Sequence, residues 1–272
     1  MSRPARCHSQ AALTALLTLA ATPALAVEPP SSAPTRASST LDSVLARGEL
    51  RVCTTGDYAP FSARTGDGNF EGIDIDMGRS LADSLGVDAD FVPTTWPTLM
   101  ADFLADRCDI AMSGISVNLE RQRQAAFTQP YHIGGKTPIV RCEDAERYRT
   151  VAQIDSPSTR VIVNPGGTNE RFTRTHFTHA DVQVFDDNTR IFDEIADGRA
   201  DVMVTDAIET ELQANRHDNL CAVHPETPFT YVEKAYLLPR DDAAWQQYVD
   251  QWLHLTRQQG EYETIRQRWL HR

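Results

Sequence analysis

From Leu50 to Arg216 the chain keeps returning to one unit: an apolar run of strand length, a turn marked by Gly, Pro or Asp, and an amphipathic run of helix length. "LRVCTT" (50–55) reads as a buried strand, "DIDMGRSLADSLG" (74–86) as a helix that Gly86 ends, and "ADFVPT" (89–94) as a strand. "WPTLMADFLADR" (96–107) reads as a helix and "CDIAMSGIS" (108–116) as a strand. Such alternation argues for a parallel sheet covered by helices, with ligands at the C-terminal strand ends, where "TTGDYAPF" and "SGIS" lie. The pattern then restarts. "RVIVNPGGTNERF" (160–172) gives strand, glycine turn and helix start, and "DVQVF", "TRIFDEIADGRA", "DVMVTD" and "AIETELQANR" repeat the alternation. Farther on, Trp245, Tyr248, Val249, Trp252 and Leu253 make one face of a helix that Gly260 ends.

About 230 ordered residues split more naturally into two lobes than one core. The expected fold is therefore α/β, with each lobe a mainly parallel sheet flanked by helices and a ligand cleft between the lobes. The chain passes out through "HIGGKTP" (132–138) and returns near Val232. Lobe 1 is expected over 41–134 plus 233–272, and lobe 2 over 135–232.

Ahead of the folded region, Arg3 and Arg6 precede an apolar run from Ala11 to Ala21 and a small-residue site at Ala24-Leu25-Ala26, the layout of a secretory signal peptide over 1–26. Residues 27–40, rich in Pro, Ser and Ala, read as a disordered leader. No stretch reaches the roughly 20 apolar residues of a membrane helix, so an exported, periplasmic protein is expected, with a signalling ectodomain disfavoured. The formal charge of −12 becomes −14 once Arg3 and Arg6 are removed, which argues against nucleic acid as a partner. An anionic small ligand then needs cations concentrated locally. Oligomeric state is open, a homo-oligomer included.

Cys53, Cys108, Cys142 and Cys221 remain after cleavage, an even number that allows three pairings. None forms a CxxC, and the His176-x-x-His179 pair lacks companion ligands, so no metal site is expected.

Several motifs carry both a structural and a functional reading. In "NPGGTNE" the glycines open a helix whose N–H groups, with Thr168 and Asn169, suit an anion; taken alone, an ordinary turn capped by Thr168 or Asn169 is favoured. In "SGISVNLERQRQAAFTQPY" the hydroxyls of Ser113 and Ser116 follow a strand, and Arg121 stands where a guanidinium can grip a carboxylate; Arg123 reads as solvated. Tyr58 and Trp96, beside polar turn residues, are pocket candidates, whereas Phe61 belongs to the core. Lys136 lies in the expected hinge and, on sequence alone, is no more than a solvated lysine. In "TDAIE", Asp206 stands three residues before Glu209, the spacing of a capping box, in which the first carboxylate caps the helix and the second reaches back to a backbone N–H.

Taken in order and spacing, "LRVCTTGDYAPFS", "EGIDIDM", "SGISVNLERQRQAAFTQPY", "NPGGTNE" and "DVMVTDAIE" resemble the periplasmic solute-binding proteins for polar amino acids. That resemblance implies that Arg121, Thr168 and Asn169 hold a ligand carboxylate and Asp206 an ammonium. "TWPTLM", "DIAMSGIS", "GGKTPI", "IVNPGGTNE", "TDAIE", "LCAVHP" and "EKAYLLPRD" sharpen it to the cyclohexadienyl dehydratases, enzymes built on the same fold. This second resemblance implies conversion of prephenate to phenylpyruvate and of arogenate to phenylalanine, with no metal or organic cofactor. It implies Glu209 as general acid and Trp96, Lys136 and Asn169 in the site. The alternative is a transport-linked amino-acid-binding protein without catalysis. The shared motifs also imply a Cys142–Cys221 pair; for Cys53 and Cys108, at neighbouring-strand positions, a second pair is the weaker suggestion beside two free buried thiols.

Overall fold

The computed structural model describes residues 1–2 and 39–271. The expected signal peptide and leader thus lie almost wholly outside the described residues.

The first sheet has the strand order Asp88–Pro93, Glu49–Thr54, Ile110–Ala111, Leu237–Leu238, Ala126–Phe127. Glu49–Thr54 pairs in parallel with both its neighbours, and Leu237–Leu238 runs antiparallel to both of its own. The second sheet is ordered Asp181–Val184, Arg160–Val163, Val202–Asp206, Lys136–Arg141, Leu220–Ala222. Its first three strands are parallel, and Lys136–Arg141 is antiparallel to both flanking strands. The two-lobed α/β fold is as expected; each sheet is mixed because the chain enters or leaves it through strands that cross between lobes.

Local signals set most elements. The helix Ile73–Leu85 ends at Gly86, whose φ of 68° lets its N–H turn back onto the last turn. Gly260 ends the helix Ala243–Gln258 and starts Glu261–Leu270. Trp245, Val249, Trp252 and Leu253 are buried as the periodicity requires and pack in one cluster with Leu50, Val52, Ile73 and Met112. The far end of the chain thus completes the core begun at its start. Asp242 fastens the two ends by accepting from Ser39 Oγ at 2.7 Å and the Thr40 N–H at 2.6 Å.

Two expectations need correction. The helix over 96–107 shrinks to Leu99–Leu104, and the strand over 108–116 to Ile110–Ala111. The second shortening has a visible cause: Gly114 adopts φ +61°, and its N–H leaves the sheet to bond the buried Asp74 carboxylate at 2.5 Å. Of the two readings of Cys53 and Cys108, the structure shows the pair. They lie 5.6 Å apart at Cα and form a disulfide, as do Cys142 and Cys221 at 4.8 Å.

Between the lobes, His132–Gly134 pairs antiparallel with Val232–Lys234. At Gly135 a Cβ would lie 1.7 Å from the Thr230 carbonyl oxygen, so only glycine permits the two crossing segments to touch there.

Candidate active site

Strand register makes the first contact of the site. Asp206, last residue of Val202–Asp206, lies directly opposite Lys136, first residue of Lys136–Arg141. Lys136 Nζ is 3.0 Å from Asp206 Oδ1, off the line a hydrogen bond needs, so this contact is an ion pair. The crossing strand Val232–Lys234 delivers a second ammonium: Lys234 Nζ donates to Asp206 Oδ2 at 2.7 Å and to Ser116 Oγ at 2.9 Å. Tyr58 Oη donates to Asp206 Oδ2 as well. Asp206, Lys136, Lys234 and Tyr58 are all buried. Burial opposes ionisation of Asp206, but the two lysines outweigh it and hold the carboxyl below the usual carboxylate range. Burial also lowers Lys234, to about 8, against the pull of Asp206.

The capping box does not form. Asp206 occupies the N-cap of Ala207–Arg216 in an extended conformation, but its side chain caps nothing. Charged donors hold its oxygens, and a neutral N–H is a weaker partner than an ammonium. Glu209 turns inward instead and accepts a hydrogen bond from Thr205 Oγ1. By contrast, Ser39 and Asp42 do build a capping box, on an exposed helix start. Glu209 is 1 % exposed. Burial raises its pKa from 4.5 to about 8, with the Thr205 hydrogen bond opposing and Asp206 reinforcing the rise. A helix N-terminus favours the ionised carboxylate. Desolvation outweighs it here.

A chain of side chains ties the acid to the cations. Lys136 Nζ donates to Asn169 Oδ1, and Asn169 Nδ2 donates to Thr205 Oγ1 at 3.0 Å and to Asn164 Oδ1 at 3.2 Å. Neither Thr168 nor Asn169 caps the helix Thr168–His176; the backbone of Gly167 takes that position. Thr168 Oγ1 instead lies 3.4 Å from Ser116 Oγ, linking the two lobes.

Tyr58, Trp96, Ser116, Thr168, Asn169 and Asp206 line one cavity together with Lys234. Trp96 stands edge-on to Tyr58 at 5.6 Å. The cavity volume is about 20 Å³, room for a water molecule and nothing larger. Arg121 borders an adjoining depression of about 240 Å³, shared with Trp96 and Thr168. Its guanidinium is buried and donates to the Ser116 carbonyl at 3.0 Å; burial, with Arg171 nearby, lowers it to about 10, so it stays charged at neutral pH. Ser113 is placed elsewhere. Its Oγ accepts from the Thr55 N–H at 3.1 Å, fully buried beneath the first sheet's strand end. His176 and His179 are exposed.

Sequence reasoning missed Lys234 and Thr205. Lys234 opens the run Lys234–Leu238, every member of which is buried. A lysine bordering so apolar a run was the available signal. Thr205 had none, since its role depends on partners 36 and 4 residues away.

The comparisons agree with this geometry. The model for bacterial extracellular solute-binding proteins, family 3, matches residues 50–272. A protein of Pseudomonas aeruginosa named cyclohexadienyl dehydratase is 56% identical over 232 residues, 85% of this chain and 86% of that one. Among solved structures, an ancestral amino-acid-binding protein described as a precursor of cyclohexadienyl dehydratase superposes with a TM-score of 0.79 at 32% identity, covering 85% of this chain and 100% of the other. An ancestral cyclohexadienyl dehydratase superposes at 0.56 with 51% identity, covering 87% and 98%. Matched by that family model over residues 50–272, and built of two mixed sheets with crossing strands between them, the chain belongs to the bacterial extracellular solute-binding proteins, family 3.

Proposed function

We propose that the protein is a periplasmic dehydratase that converts prephenate to phenylpyruvate, and arogenate to phenylalanine, by loss of water and carbon dioxide. The observation that carries the reading is the Glu209 carboxyl: buried, kept protonated at neutral pH, and joined through Thr205 and Asn169 to a buried lysine. A binding site for amino acids needs no such acid. The 56% identity to the dehydratase of Pseudomonas aeruginosa supports the same conclusion.

In the proposed reaction the ring hydroxyl of prephenate is a poor leaving group until protonated. Glu209 gives its proton to that oxygen, and the C–O bond breaks to release water. The C–C bond to the ring carboxylate breaks at the same time, its electron pair completes the aromatic ring, and carbon dioxide departs. The dianion plus one proton thus becomes the phenylpyruvate anion, carbon dioxide and water. Glu209 is left ionised and regains its proton from solvent. Arg121 and Lys136, with Thr168 and Asn169, receive the two carboxylates, and Trp96 and Tyr58 wall the ring. Asp206 holds the lysines in place, Ser116 positions Lys234, and Ser113 acts at one remove by fixing the Thr54–Thr55 strand end.

A cavity of about 20 Å³ does not admit such a substrate, so the lobes, 41–134 plus 233–272 and 135–232, separate for binding. The paired crossing strands His132–Gly134 and Val232–Lys234 serve as the hinge. Export follows from the expected signal peptide over 1–26.

Purified protein mixed with prephenate should yield phenylpyruvate, read by ultraviolet absorbance. No product, together with tight amino-acid binding, overturns the proposal in favour of a transport function.

A further inference from the structure

Asp206 is the ionised carboxylate beside the cavity, and therefore the obvious acceptor for a ligand's ammonium group. Two ammonium groups already face it. Oδ1 faces Lys136 Nζ at 3.0 Å, and Oδ2 accepts from Lys234 Nζ at 2.7 Å and from Tyr58 Oη. What borders the cavity beside it is Lys234 itself. This lysine is fixed from several sides: its backbone bridges to Ser116, its Nζ bonds Ser116 Oγ at 2.9 Å, and the same Nζ lies 5.0 Å from the Tyr58 ring centroid. An ammonium has three protons, so Lys234 keeps one beyond Asp206 and Ser116.

The charges point the same way. At neutral pH Arg121, Lys136 and Lys234 contribute +3, Asp206 −1 and the protonated Glu209 nothing, a local sum of +2. Prephenate, with two carboxylates and a keto group, carries −2. Arogenate replaces the keto oxygen by an ammonium and carries −1, and that ammonium would meet Lys234 beside a carboxylate already ion-paired with two ammonium groups.

Resting on the dehydratase reading, we infer that Lys234 is a specificity-determining residue: by occupying Asp206 it turns an ammonium subsite into one for a keto oxygen, so that the α-keto substrate is preferred over the α-amino one.

The test compares wild type with Lys234→Met and Lys234→Gln, the latter keeping a donor for Ser116 if the former does not fold. Two ratios are measured: kcat/KM for prephenate over arogenate, and equilibrium affinity for phenylpyruvate over L-phenylalanine, which differ only in that substituent. Wild type should favour the keto member of each pair by about tenfold or more, the scale of one charged hydrogen bond, and a folded variant should lose most of that preference. General damage lowers both members alike and leaves the ratios unchanged, as does a Lys234 without the assigned role; unchanged ratios therefore overturn the inference. So does a wild type that prefers arogenate or L-phenylalanine. If wild type turns over neither substrate, the dehydratase reading falls, and the affinity ratio still decides the role of Lys234. If neither variant folds, the wild-type ratios decide it.

Discussion

Replacing Glu209 with Gln removes the proton and almost nothing else. The side chains are nearly isosteric, and Thr205 can still donate to the amide oxygen. Loss of a positioned general acid lowers kcat by about 10²- to 10⁴-fold, and binding should change little because the substrate's carboxylates meet other residues. The same substitution has a second signature. Ionising a carboxyl raised from 4.5 to about 8 costs the fold about 5 kcal/mol at about 1.4 kcal/mol per pH unit. Between pH 4.5 and 8 the folded state keeps a proton that the unfolded state has shed. This group's contribution to stability is therefore full below pH 4.5 and falls as pH rises to about 8. Gln has no proton to lose, so the variant should become more stable than wild type across that window, by an amount that grows with pH towards about 5 kcal/mol. Wild-type kcat/KM should fall about tenfold per unit above pH 8 as the acid ionises. Phenylpyruvate formation, corrected for the uncatalysed reaction in acid, and denaturant unfolding from pH 5 to 9 measure both. A variant within tenfold of wild type in kcat, or a stability difference that does not widen with pH, refutes the argument.

Arg121→Lys should raise KM for prephenate about tenfold with kcat nearly unchanged, because one ammonium cannot reproduce two parallel hydrogen bonds to a carboxylate; steady-state kinetics separates the two parameters. Gly114→Ala should destabilise the protein by about 1–3 kcal/mol in denaturant unfolding and lower activity, since φ is +61° and the new Cβ would lie 2.5 Å from Tyr58 Cε1. Replacing Cys142 and Cys221 together by Ser frees a crosslink across 79 residues and should cost about 4 kcal/mol; the Cys53–Cys108 pair, across 55, should cost nearly as much, both read from the denaturant midpoint.

The strand and helix sequence from Leu50 to Arg216 could be read from the chain because periods of 2 and 3.6 residues act locally, and Gly86 and Gly260 stop helices by backbone conformation alone. Tyr58, Trp96, Ser116, Thr168, Asn169 and Asp206 were legible as site candidates because they fall at strand ends and turns. Sequence also placed both carboxylates of "TDAIE" at a strand-to-helix junction, but its spacing suited a capping box as well as a catalytic acid. Only the tertiary structure excludes the capping box. Lys136, brought opposite Asp206 by antiparallel register, and Lys234, delivered by the crossing strand, take the Asp206 oxygens away from the helix end. Packing then leaves Glu209 1 % exposed, so that it keeps its proton. Ion pairing and desolvation depend on groups that distant segments bring within a few ångströms, and no local period in the sequence encodes those distances.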